Sequence, residues 1–129
     1  MSQNVNFYKA SLREFRFVLF EQFKLGELLS KAPYANWGKD EVTSVLDEAY
    51  AWCCKVLGPL NGAADKIGCK YENGKVTTPN GFTAAWKSLY EVGWRSIAVE
   101  EQFGGQAGPL TLSMAVEEMM CGANTSFNM

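Results

Sequence analysis

The sequence contains no histidine among its 129 residues. That absence removes Ser-His and Cys-His nucleophilic catalysis, imidazole-ligated metals and the commonest general base. Any chemistry would fall to Asp, Glu, Lys, Tyr or a cofactor. Charge of either sign is also scarce in clusters. Twelve Lys and Arg balance 14 Asp and Glu for a net charge of −2, with no basic patch of the kind nucleic acid requires. No run approaches the roughly 18–20 apolar residues that span a bilayer. The first residues, Met1 to Lys9, are polar and lack the positive region and apolar stretch of an export signal, which makes the cytoplasm the expected compartment. Four cysteines, Cys53, Cys54, Cys69 and Cys121, form no CxxC pair, so they are expected to be reduced and mostly buried.

What is present is globular: 47% of residues are apolar and 20% charged. Leu12, Phe15, Leu19 and Phe23 recur at helical spacing and predict a first helix over about Tyr8 to Leu29, with Phe17, Val18 and Phe20 widening its apolar surface. Pro33 and Gly38 interrupt the pattern. A second helix is expected from about Gly38–Asp40, with Asp40 as N-cap, buried through Val42, Val45, Leu46, Ala49, Trp52, Cys53 and Val56, and ended by Gly58–Pro59. Residues 60–66 read as a helical turn or ordered loop. Asn73-Gly74 between short β-tolerant flanks predicts a hairpin.

Phe82, Ala85, Trp86 and Leu89 mark the inner side of a third helix ending near Gly93. The final helix should begin at Pro109–Leu110, bury Leu112, Ala115, Val116, Met119 and Met120, and end around Gly122 or Asn124. Trp37, Trp52, Trp86 and Trp94 are suited to anchor the core or an interface. The fold class is therefore all-α with one short hairpin. The glycine-rich Phe103–Gly108 stretch has neither the lysine and hydroxyl of a P-loop nor the GxGxxG spacing, and reads as a tight loop. Glu117 and Glu118 are expected to divide into one paired and one solvated carboxylate. Tyr71 and Lys75 are expected at the surface.

The order of motifs adds a resemblance. Gly93-Trp94 through Glu100-Glu101-Gln102-Phe103-Gly104-Gly105-Gln106-Ala107-Gly108 resembles the "GW…EE-x-GGxG" segment of flavin-dependent acyl-CoA dehydrogenases, although Val99-Glu100-Glu101 lacks a proline common there. Ala115-Val116-Glu117-Glu118-Met119-Met120 resembles the helix that follows in that family. Gly58–Cys69 and Glu72–Phe82 resemble the branch containing long-chain FadE-type and 3-methylmercaptopropionyl-CoA dehydrogenases, whose members carry a helical extension to which Phe7–Leu29 is similar. The resemblance implies a helical extension over residues 1–36 and the family's N-terminal helical domain over 37–129, with the β-barrel and catalytic helical domains to follow.

It further implies an acyl-CoA substrate, FAD held by the full-length enzyme and not by these residues alone, a homo-oligomer, and no membrane span. Thr125, Phe127, Asn128 and Met129 are the substrate-binding residues it implies, along the acyl cavity. It assigns no catalytic, cofactor-binding or metal-binding residue within the 129, because the family's base and flavin contacts lie in the later domains. A free-standing, non-catalytic binding module derived from the same domain is the alternative.

Overall fold

The computed structural model describes residues 6–129, and the reading of the polar first residues falls partly outside them, at Met1–Val5. Helices α1 (Leu12–Arg16), α2 (Lys39–Trp52), α3 (Gly58–Ile67), α4 (Phe82–Glu91) and α5 (Leu110–Asn128) surround one core, with an antiparallel hairpin of β1 (Lys70–Glu72) and β2 (Lys75–Thr77) outside it. Asn73 and Gly74 both take positive φ, 51° and 78°, as the two-residue turn requires. The strands pair Lys70 with Thr77 and Glu72 with Lys75, and every strand residue is exposed.

The first helix is shorter than its periodicity suggests. Ser11 caps it, its side chain accepting from Glu14 N–H, and it continues past Arg16 as a π-helical segment, Phe17–Gln22. Lys24, at φ 50°, then turns the chain out of the helix. Leu25 and Leu29 still reach the core, alongside Leu19, from a 3-10 turn and the loop beyond it. An exposed ion pair between Arg16 and Asp47 ties this segment to α2, an arrangement worth at most about 1 kcal/mol.

α2 starts at Lys39, with Gly38 and not Asp40 at its cap. The Glu41 carboxylate reaches back to accept from Gly38 N–H at 2.9 Å, which is one half of a capping box. Gly58–Pro59 does not end the helix. A π-helical turn, Cys53–Leu57, intervenes, and α3 carries straight on through Pro59 to Ile67. Within the π turn Gly58 N–H bonds the Cys53 carbonyl five residues back. Proline at 59 has no N–H for the next acceptor in that series, the Cys54 carbonyl. The Asn6 amide supplies the missing donor, reaching Cys54 O at 2.5 Å. Gly58 leaves room for it, since a Cβ there would lie 2.1 Å from Asn6 Oδ1.

α5 forms the centre. Leu112, Val116, Met119 and Met120 are fully buried and Ala115 nearly so, packed against α2, the π turn and α3. Trp52 donates its indole N–H to Ser88 Oγ at 2.9 Å, joining α2 to α4. Trp37 donates to Gln106 O at 3.0 Å, joining the approach to α2 with the glycine-rich loop. Those two tryptophans and Trp94 are core residues. Trp86 is not: it is 49% exposed, outside the inner stripe of Ala85 and Leu89. No helix among the described residues is long and apolar enough to cross a membrane.

Candidate functional site

The residues singled out at the end of α5 lie on a separate final turn. Asn124 leaves helical geometry at φ −162° and ψ 87°, breaking α5 beneath its last four residues. This is the break that glycine and asparagine near the end of the helix announced. Asn124 is fully buried, and its side chain restarts the helix by accepting from Phe127 N–H at 3.1 Å and from Ser126 Oγ at 3.0 Å. Its Nδ2 donates 3.3 Å across the core to the carbonyl of Leu57, in the π turn. The same side chain therefore caps the turn and satisfies a buried acceptor on a neighbouring helix.

On that turn the four candidate residues go different ways. Thr125 is exposed, its hydroxyl donating to the Cys121 carbonyl at 2.7 Å, an ordinary back-bond to the preceding turn. Phe127 points inward and meets Phe82 edge-on at a centroid distance of 5.3 Å, with Trp86 at 6.3 Å. Trp86 in turn stacks at a tilt on Tyr90, 5.1 Å away, so a ladder of aromatic rings leads from the buried turn to the surface of α4. Asn128 joins a polar cluster with Arg95, Glu117 and Cys121. Met129 is 98% exposed. Thr125 and Met129 thus face solvent while Phe127 and Asn128 are engaged by the body.

Arg95 was not legible as part of this site. It sits in a 3-10 turn, Trp94–Ser96, and its partners are 22 and 33 residues away. Glu117, half of the adjacent acid pair, binds Arg95 through Oε1 and Asn128 through Oε2 at 2.8 Å, whereas Glu118 is exposed. That is the division expected of the pair. With both oxygens occupied, Glu117 serves as a structural counter-charge.

The glycine-rich loop shows directly why it holds no phosphate. Its amides turn inward: Gly105 N–H bonds Glu100 O at 3.1 Å, Gln106 N–H bonds Ser96 O at 2.9 Å, Ala107 N–H bonds Val99 O at 2.8 Å, and Gly108 N–H bonds Ile97 O at 2.6 Å. A phosphate loop needs those donors aimed outward. Here they lash the loop to the segment 94–100, and Gly108 lies close against Trp37 just before α5 begins.

No family model matches the chain. Among curated proteins it is 25% identical over 122 residues to the 3-methylmercaptopropionyl-CoA dehydrogenase of Ruegeria pomeroyi, and 31% identical over 126 residues to the butyryl-CoA dehydrogenase of Syntrophomonas wolfei. Each alignment covers 95% of this chain. The chain resembles acyl-CoA dehydrogenases. It spans about a fifth of the length of these relatives, 21% of the first and 20% of the second. The similarity to acyl-CoA dehydrogenases runs through nearly the whole helical body and is not confined to one motif.

The cysteines are all free, and the expectation that most are buried holds only for Cys53. Cys54 is partly covered, and Cys69 and Cys121 are exposed, because Cys69 follows the end of α3 and Cys121 lies on the outer side of α5. Burial pushes the Cys53 thiol up to about 12, reinforced by Cys54 beside it. Burial likewise raises the Tyr8 phenol, with smaller contributions from Cys53 and Cys54. In the native protein at neutral pH, a thiol-specific reagent should label Cys69 and Cys121 first and Cys54 more slowly, leaving Cys53 until the chain unfolds. Mass spectrometry of partly labelled protein reads this order, and early labelling of Cys53 would contradict it. Alkali should also weaken the fold. The unfolded thiol ionises from its ordinary value of 9.0 while the folded one holds its proton to about 12, so stability declines as pH rises across that window.

Proposed function

We propose that these residues form the N-terminal helical domain of a longer FAD-dependent acyl-CoA dehydrogenase and supply one wall of its acyl pocket. The observation that carries this reading is alignment of 95% of the chain with two acyl-CoA dehydrogenases of which it spans only about a fifth. In this reading residues 1–36 are a helical extension and 37–129 the domain proper. The catalytic base and the flavin contacts come from later parts of the polypeptide, and FAD supplies the hydride acceptor for α,β-dehydrogenation of an acyl-CoA thioester.

The wall is the last turn of α5, with Thr125, Phe127, Asn128 and Met129 as substrate-binding residues. Its chemistry suits the role. Exposed Met129 and the half-exposed Trp86 and Tyr90, backed by the buried Phe127, offer apolar surface to an alkyl chain, with no uncompensated charge at the turn. The partners are the remaining domains of the same enzyme and further copies of it, in the cytoplasm.

The intact mass and visible spectrum of the protein purified from its natural source test this. A mass several times 14.3 kDa together with a flavin absorption band is expected. A colourless 14.3 kDa protein that unfolds cooperatively would sink the enzyme reading and leave a binding module.

A further inference from the structure

The final turn of α5 is a detached piece of helix, and something other than helical continuity must set its direction. On the inner side Asn124 caps it. On the outer side Arg95 grips it from a different element. Arg95 Nη1 pairs with Glu117 Oε1, while Nη2 donates to Asn128 Oδ1 at 2.9 Å and lies 3.4 Å from the Asn128 carbonyl. Asn128 Nδ2 closes the ring onto Glu117 Oε2 at 2.8 Å and meets Cys121 Sγ at 2.9 Å.

The Arg95 and Glu117 side chains are only 29% and 24% exposed, so solvent screens this pair less than the Arg16–Asp47 pair at 37% and 47%. A planar guanidinium reaches two acceptors at once with fixed geometry, and an ammonium does not. The ring therefore fixes the turn in orientation as well as position.

We infer that Arg95, with Glu117 as its counter-charge, is the positioning residue that orients Phe127 and Met129 and so sets which acyl groups the wall accepts. This rests on the acyl-wall reading given above. Neither residue touches substrate in this scheme. Their effect passes through Asn128 to the turn, so it should appear in KM and acyl-length preference while kcat stays in place.

The test uses the complete enzyme carrying this chain, with butyryl-CoA and a long-chain acyl-CoA as substrates and amide hydrogen exchange as a second readout. Arg95→Ala should change the ratio of the two KM values about tenfold, the scale of one charge-assisted hydrogen bond, with kcat within about twofold. Protection of residues 125–129 should fall about as much, with α2 unchanged. Glu117→Gln, which keeps one acceptor, should give a smaller shift in the same direction, and Arg95→Lys should not restore the parent ratio. Met129→Ala alters the wall without touching the ring or the core.

If Met129→Ala shifts acyl preference and Arg95→Ala does not, the wall stands and the positioning role fails. If Arg95→Ala frees residues 125–129 while neither variant changes acyl preference, the wall reading fails and the positioning role falls with it. A uniform loss of kcat and thermal stability in Arg95→Ala, with an unchanged KM ratio, would reduce the ring to a stability element and overturn the inference.

Discussion

Gly105→Ala should cost about 3 kcal/mol or more, lowering the melting temperature by roughly 10 °C. A Cβ at this position would lie 1.9 Å from the Val99 carbonyl oxygen and 2.3 Å from its carbon. Both are backbone atoms, so no side chain can swing aside. Relief would require lifting the loop from the 96–99 segment, with loss of the hydrogen bonds made by Gln106, Ala107 and Gly108. The neighbouring glycine is a useful control because its reason is different. Gly104 has open space around its missing Cβ but a φ of 81°, so Gly104→Ala should cost only the left-handed penalty, about 1–2 kcal/mol. Thermal unfolding followed by circular dichroism compares the two. Equal, small shifts would show that the loop does not pack as described.

Asn124→Ala is the second large effect, at about 2–4 kcal/mol. Loss of the cap on Phe127 N–H accounts for about 1 kcal/mol. The stranded Leu57 carbonyl adds about 1–3 kcal/mol, because Asn124 is fully buried and water cannot replace it. Asn124→Asp separates the two contributions. An ionised carboxylate keeps the acceptor for Phe127 N–H but faces the Leu57 oxygen with no proton to offer. Burial disfavours its charge, so the folded state should hold a proton more tightly than the unfolded one. The variant should consequently gain stability relative to the parent as pH falls, and chemical denaturation at two pH values measures the difference. A variant as stable as the parent at neutral pH would show that the Leu57 contact contributes nothing.

Much of this architecture could be read locally. The apolar stripe of α5, its start after Pro109, the Asn73–Gly74 hairpin and the unequal fates of Glu117 and Glu118 each follow from a few adjacent residues. What escaped reading is long-range in origin. Pro59 should have ended a helix, and it does not because a π turn precedes it and the Asn6 amide, 48 residues from the Cys54 acceptor, supplies the absent donor. Trp86, expected on the inner side of α4 from its spacing to Phe82, lies outside the buried stripe and is half exposed beside Phe127 and Tyr90. The first helix ends early where Lys24 adopts a left-handed conformation, which no lysine advertises. Of the candidate site, Phe127 and Asn128 prove to be held by the body, but the partner that holds Asn128 is an arginine in another element with no motif around it. Cys121 and Cys69 are exposed because helix phase and helix ends, not residue type, decide burial.

An ordinary helix advances about 100° per residue. A turn that closes on the fifth residue instead of the fourth carries one residue more, so all that follows is rotated by that angle. Across Cys53–Leu57 the helix that carries Val42, Leu46, Ala49 and Cys53 inward passes through such a turn before α3 carries Ala64 inward. Deleting one residue between Cys53 and Leu57 would remove the extra residue of that turn. It would also rotate α3 by more than a quarter circle, turning Ala64 from the core and carrying Pro59 away from the Asn6 amide that makes it tolerable.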